Sequence, residues 1–214
     1  MYLIGVSHNN ADNGTTVAII KKFLKNVKNH YQPVKIIKAG LPINSEQTKS
    51  LITNLYGDKN YIIRKKLFSQ DRRPARIVFE NPRLVVNCSK DGIYLADALR
   101  LMNIPVEGIL IKNNESWEKH PQGKNMGDNY KVALNHLIRN FINVYKQKRL
   151  IAAEDRTLNE PVFSQIDSFV KKIEPNKTLN KRILDFFYRN DVIMSLSMPI
   201  WFRENIRYSR YYNA

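Results

Sequence analysis

A short, fully apolar segment, Leu84–Val86, constrains the fold of this chain most strongly. It follows Pro82, ends in the polar turn Asn87–Gly92 and reads as a strand. A strand without polar alternation is typical of the middle of a sheet whose two faces are both covered. The turn leads into a segment with one apolar face, Ile93–Met102, which predicts a helix. From Pro82 onward the pattern is therefore that of an α/β protein.

The remaining segments extend this pattern. Strands are predicted at Tyr2–Val6, Thr15–Phe23, Val34–Lys38, Val106–Ile111 and Leu150–Ala152, with a polar turn from Ser7 to Gly14. Helices are predicted at Ser45–Tyr56, Asn129–Tyr145, Leu158–Ile173 and Val192–Phe202. The order predicts a single α/β domain over residues 1–214 with a mixed sheet flanked by helices, in which residues 203–214 form a C-terminal tail.

The charge of the chain points to an anionic partner. Lys and Arg number 35 against 19 Asp and Glu, a formal net charge of +16. Nucleic acid is the simplest partner for such an excess, and a lysine-rich solvated surface is the alternative. The basic segment 57–82 either faces DNA or is simply exposed. The candidate nucleic-acid-binding residues lie there and in the tail: Lys65, Lys66, Arg72, Arg73, Arg207 and Arg210.

Cysteine usage and hydropathy favour the cytoplasm. Cys88 is the one cysteine, which excludes an intrachain disulfide and fits a reducing compartment. Its place after an apolar strand predicts a buried, inert thiol. No apolar run approaches the ~18 residues that span a bilayer, and the first residues read as a strand. We therefore expect no membrane partner.

Polar residues lie at three positions where α/β sheets commonly bind ligands. Two of these positions follow central strands, and the third is the start of a helix. Ser7 follows the first strand, Asn87 follows the apolar strand, and Asp191 begins the last helix. In two-metal nucleases, acids at such positions hold two divalent ions about 4 Å apart. Only one of the three residues here is an acid.

The chain resembles a known nuclease family through motifs distributed over nearly its whole length. They are Ile4–Val6 with Asp12–Ile20, Leu84–Gly92, Lys131–Leu137 with Arg149–Ile151, and Asn190–Leu196. Each motif is short, but together they are similar to the nuclease domain of the large terminase subunit of tailed phages and related viruses, which has a ribonuclease-H-like fold. The resemblance implies Mg²⁺- or Mn²⁺-dependent DNA cleavage in viral genome packaging within the host cytoplasm, with a packaging ATPase or portal as partner. A phosphate-binding loop is absent from the sequence, so this chain does not carry the motor.

Carried over by position, the three acids of the family fall on Ser7, Asn87, and Asp191 or its neighbour Asn190. Ser7 and Asn87 are degenerate positions, since they offer neutral oxygens where metal ions need charge. Three hypotheses follow: a weak or inactive nuclease, a non-catalytic module that binds nucleic acid or a packaging partner, and a nuclease with a rearranged site. The last would use Asp12, Asp91 and Asp191 as catalytic and metal-binding residues. The alternative for Asp12 and Asp91 is a turn-forming role.

Overall fold

The computed structural model describes residues 1–9, 14–43, 45–67, 76–89, 91–112, 118–121, 126–173, 186–187 and 190–206. The strands are β1 (Tyr2–Asn9), β2 (Gly14–Lys25), β3 (Lys28–Ala39), β4 (Ile63–Leu67), β5 (Arg76–Glu80), β6 (Arg83–Asn87), β7 (Val106–Lys112), β8 (Glu118–Pro121) and β9 (Asp128–Ala133). The helices are α1 (Glu46–Gly57), α2 (Gly92–Leu101), α3 (Leu134–Lys146), α4 (Arg156–Ile173) and α5 (Asp191–Asn205). Within the described residues, no helix has the length and apolar character needed to cross a membrane.

Seven of the strands form one mixed sheet in the order β3-β2-β1-β6-β7-β9-β8, and β4 pairs with β5 separately. The pairs β3–β2 and β2–β1 are antiparallel, whereas β1–β6, β6–β7 and β7–β9 are parallel. Strand β8 runs antiparallel along the far edge. The predicted α/β class and mixed sheet are confirmed, and Leu84–Val86 is fully buried in the central strand β6.

Helices cover both faces of the sheet because strand residues alternate between two buried clusters. Ile4 packs in one cluster with side chains of α1 and α2, such as Leu95. Leu3, its neighbour on β1, packs in the other cluster with side chains of α3, α4 and α5, such as Phe141 and Trp201. We call these the α2 face and the α5 face of the sheet.

Helix α5 is the most deeply buried helix of the α5 face, with every residue from Val192 to Phe202 buried. It approaches β1 so closely that a Cβ on Gly5 would meet the Ser195 carbonyl oxygen at 1.9 Å. Pro199 lies one turn further along the helix and has no N–H to donate to that carbonyl. Glycine at position 5 is therefore what allows the backbone of the helix to rest on the strand.

A charged network anchors the C-terminal end of α5. Glu204 accepts hydrogen bonds from the Tyr31 hydroxyl (2.5 Å), the Asn29 amide (3.2 Å) and the Arg149 guanidinium (2.9 Å). The exposed fraction is 18% for the Glu204 side chain and 8% for that of Arg149. Burial raises the pKa of Glu204, but the hydrogen bonds outweigh burial and hold that pKa below its ordinary value. Glu204 is thus ionised in the folded protein and ties α5 to β3.

Four predicted boundaries were wrong. The third strand, predicted at Val34–Lys38, runs from Lys28 to Ala39 because it pairs with β2 along its length. Residues 129–133 belong to β9 and not to the following helix, because Tyr130 and Val132 alternate inward and β9 pairs with β7. The first strand does not end at Val6 but continues through Asn9, since Ser7 and His8 keep their pairing with β2. The brief strand at Leu150 is reduced to a single bridge with β3.

The close approach of α5 to β1 predicts a large effect of Gly5→Ala. The added methyl group would collide with the helix backbone, so we expect the free energy of unfolding to fall by about 3 kcal/mol. Gly40→Ala is the matched control because a Cβ there meets no atom within 4 Å, and it should change stability by less than about 0.5 kcal/mol. Urea denaturation of both variants measures the difference. Equal stability of the two variants would contradict the packing described.

The Glu204 network predicts a pH-dependent loss of stability. A carboxyl group whose pKa is lowered by folding stabilises the fold above its unfolded pKa and loses that contribution as pH falls through the folded pKa. Glu204→Gln should therefore destabilise the protein by about 3 kcal/mol at pH 7, and by progressively less as the pH falls below about 4. Glu154→Gln, at a side chain that is 80% exposed, serves as control and should have little effect. A pH-independent difference would contradict the assignment.

Candidate functional site

Four polar residues form a row across one end of the sheet. Thr16 on β2 pairs with Lys38 on β3 and with Ser7 on β1. The neighbouring strands β1 and β6 are parallel, and their pairing ends one residue earlier, at Val6 and Val86, so Asn87 lies beside Ser7. Strand alternation puts Ser7 and Asn87 on the α5 face. We call this set the polar row: Lys38, Thr16, Ser7 and Asn87.

Asp191 lies over the polar row because it begins α5. Asn190 caps the helix by accepting a hydrogen bond from the Ile193 amide at 3.1 Å. The Ser7 hydroxyl donates to the Asp191 backbone carbonyl at 2.9 Å. The three positions that the resemblance aligns with metal-binding acids therefore meet at one end of the sheet, although two of them are not acids.

Protein groups already engage both oxygens of the Asp191 carboxylate. The Thr16 hydroxyl donates a hydrogen bond to Oδ2, and the Val192 amide donates to Oδ1 at 3.0 Å. The Lys38 ammonium lies 3.9 Å from Oδ1, and its side chain is 60% exposed, whereas that of Asp191 is 17% exposed. Asp191 also sits at a helix N-terminus, where the helix dipole favours a negative charge. These contacts give both carboxylate oxygens a protein partner.

Asn87 has a local role in the turn that follows β6. Its side-chain oxygen accepts a hydrogen bond from the Ser89 amide at 3.0 Å. Its backbone carbonyl lies so close to Gly92 that a Cβ there would meet the oxygen at 1.8 Å. A carboxylate oxygen could accept the same hydrogen bond, so an aspartate would fit this position equally well.

Among the described side chains, Asp91 makes no contact with the polar row. Asp91 is exposed and precedes α2, which packs on the α2 face, opposite the helix that carries Asp191. Its backbone carbonyl accepts from the Tyr94 amide at 3.1 Å, and its side chain makes no capping hydrogen bond.

The other candidate residues fall into two groups. Lys65 and Lys66 lie on β4 of the two-stranded sheet, opposite Val78 and Ile77. The rest lie outside the described residues: Asp12, Arg72, Arg73, Arg207 and Arg210.

Cys88 follows β6 on the α2 face and is only 1% exposed. Burial raises the pKa of its thiol to about 12, so the group stays neutral at physiological pH. The prediction of a buried thiol is confirmed.

Among the described residues, the donor set of this site does not fit two divalent cations. The polar row offers two hydroxyl groups, one amide and one ammonium group, and Asp191 adds one carboxylate. The formal charge of the described site is therefore zero, whereas paired Mg²⁺ or Mn²⁺ ions require several anionic oxygens. Among the residues that the structure describes, no group of three or more His, Cys, Asp or Glu side chains is placed to hold a metal ion.

Sequence reasoning missed Thr16 and Lys38 as members of this site. Both face Asp191 only because the β2–β3 hairpin pairs them side by side. The sequence predicted strands at both places, but strand prediction alone does not establish register.

Comparisons with protein-family models, with curated proteins and with solved structures found no match to this chain.

The hydrogen bond from Thr16 predicts a stability loss for Thr16→Val. The substitution keeps the shape of the side chain but removes a donor to a charged acceptor, so we expect a cost of about 2 kcal/mol. Thr53→Val is the matched control, because the Thr53 hydroxyl is buried without a hydrogen-bond partner, and it should be neutral or stabilising. Thermal unfolding compares the two variants. A neutral Thr16→Val would argue against Thr16 as the partner of Asp191.

Proposed function

We propose that this chain is a nuclease-like scaffold of the terminase large-subunit type that holds nucleic acid and does not cleave it. The observation that carries the proposal is the composition of the site: the one carboxylate at the converging positions is paired with Lys38 and Thr16. The Lys38 ammonium, 3.9 Å from Oδ1, supplies the positive charge nearest this carboxylate among its described partners, which supports a site that works without divalent cations.

Two features support a ribonuclease-H-like ancestry. The sheet is mixed, because β1 pairs with β2 in the antiparallel direction on one side and with β6 in the parallel direction on the other. The positions that the resemblance assigns to acids, Ser7, Asn87 and Asp191, meet at one end of this sheet although they are far apart in the sequence. If the short motifs were similar only by chance, there would be no reason for these three positions to lie close together in the fold.

The loss of charge supports a binding function over catalysis. Metal-assisted hydrolysis uses cations to generate the nucleophile and to stabilise the leaving oxygen. A neutral row of Ser7, Thr16 and Asn87 supplies little of the negative charge that would hold those cations.

The net charge of +16 supports an anionic partner, and we propose DNA. In a packaging setting, the protein partner would be a packaging ATPase or a portal protein.

Restoring the missing acids provides a direct test. We expect the wild-type protein to retard plasmid DNA on a gel at physiological salt, to leave it uncut with Mn²⁺, and to show no Mn²⁺-dependent rise in Tm. The double variant Ser7→Asp/Asn87→Asp should be less stable in EDTA because three carboxylates repel one another. Added Mn²⁺ should restore its Tm by several degrees, since a ligand that binds only the folded state stabilises it.

The control for this test is Ser50→Asp/Asn54→Asp, which makes the same chemical changes at exposed positions of α1. Its Tm should respond to Mn²⁺ no more than that of the wild type. Mn²⁺-dependent nicking by the wild-type protein that is lost in Asp191→Ala would overturn the proposal and favour the rearranged site with Asp12 and Asp91. Failure of the wild type to bind DNA at any salt concentration would remove the proposed partner.

A further inference from the structure

The tip of the β2–β3 hairpin has an unfavourable backbone conformation. Lys25 pairs with Lys28, so the turn contains two residues, Asn26 and Val27. Both have positive φ angles, 50° and 64°, as a tight hairpin turn requires. Asparagine tolerates this conformation, but a β-branched residue does so only at an energetic cost, and glycine is the usual choice. Stability alone therefore does not explain a valine here.

The same tip exposes apolar surface to solvent. Val27 is 97% exposed and Leu24 is 66% exposed. The last pair between β1 and β2 is Tyr2–Lys21, so the tip extends beyond the neighbouring strand of the sheet. Backbone strain together with exposed apolar side chains is typical of a functional surface.

Two lysines flank the apolar tip, and two more lie at the helix end that contacts the base of the hairpin, where Glu204 also accepts a hydrogen bond from Asn29. The five exposed residues Leu24–Lys28 include two lysines and no acid. Arg149 donates a hydrogen bond to the Asn29 carbonyl at 3.1 Å, which brings the end of α3 against the base of the hairpin. Lys146 and Lys148 are exposed at that helix end. We call this surface the hairpin end: Leu24, Lys25, Val27, Lys28, Lys146 and Lys148.

We propose that the hairpin end binds duplex DNA, with its lysines contacting phosphates and Val27 entering the minor groove. Apolar side chains flanked by basic residues are a known means of wedging between base steps and bending a duplex. Phosphate contacts position the protein, and burial of the exposed valine adds affinity. The inference rests on the proposed function, in that it assumes the chain binds DNA, and it identifies the surface that does so. This surface lies at the opposite end of β2 from Thr16.

The substitution Val27→Gly is expected to weaken DNA binding without lowering the stability of the fold. Glycine adopts positive φ angles freely, so the variant should keep or raise its Tm. Its affinity for a 20-base-pair DNA duplex should fall about tenfold, because the buried apolar side chain is lost. The slope of log K against log salt should not change, because no charge is removed. A duplex carrying 2-aminopurine should gain fluorescence with the wild-type protein and not with Val27→Gly, since only a wedge unstacks the base.

Lys25→Gln/Lys28→Gln tests the electrostatic part. The salt slope of DNA binding should decrease by about 2, close to one unit for each phosphate that a lysine no longer neutralises. The matched controls are Lys171→Gln, at an exposed lysine of α4, and Leu101→Ala, at an apolar side chain of α2 that is 84% exposed. Both controls should bind DNA like the wild type.

The outcomes distinguish the two proposals. If the wild-type protein binds no DNA, the proposed function fails together with this inference. If it binds DNA and the hairpin variants bind equally well, only the hairpin proposal fails. Loss of binding to phosphatidylserine vesicles with unchanged DNA binding would overturn it in favour of a lipid surface. Loss of a concentration-dependent dimer with unchanged DNA binding would overturn it in favour of a second copy of the chain.

Discussion

The docking of α5 onto the sheet is the contact on which the rest of this structure depends. A helix that is apolar on all sides must be covered on all sides. Here β1, β2 and β6 provide the floor, α3 and α4 provide the cover, and Gly5 allows the backbones to touch. Both ends of the helix are held by polar contacts, Asp191 by the polar row and Glu204 by Tyr31, Asn29 and Arg149. The position of the candidate site is a consequence of this docking, since α5 carries Asp191 to the strand ends.

On the proposed function, the arrangement around Asp191 accounts for a nuclease-like scaffold that keeps its fold without metal ions. A carboxylate at a helix N-terminus near the end of a sheet needs compensation for its partial burial. In a two-metal enzyme the divalent cations supply it; here the Thr16 hydroxyl, the Val192 amide and the Lys38 ammonium do so. Asp191 is therefore part of what holds α5 in place. This structural role does not depend on catalysis.

The sequence predicted those parts of the fold in which local pattern and tertiary environment agree. The segment from Leu84 to Leu101 is one example, since a fully apolar strand, a polar turn and a helix with one apolar face each have a characteristic pattern. The error at β9 arose because the apolar residues of 129–133 run directly into those of the following helix, and only pairing with β7 makes the segment a strand. The long hairpin was underestimated because its turn lacks the expected glycine. The positions of Ser7, Asn87 and Asp191 were predicted to be related, but Thr16 and Lys38 depended on strand register, which sequence pattern alone does not provide.

The central claim is that protein groups, and not metal ions, satisfy Asp191. A crystal structure of the wild-type protein grown in the presence of MnCl₂, with anomalous scattering recorded for manganese, tests it most directly. The account predicts no anomalous peak at the Asp191 carboxylate and the Lys38 ammonium close to Oδ1. A manganese ion bridging Asp191 to Asp12 or Asp91, with Lys38 turned away, would contradict it.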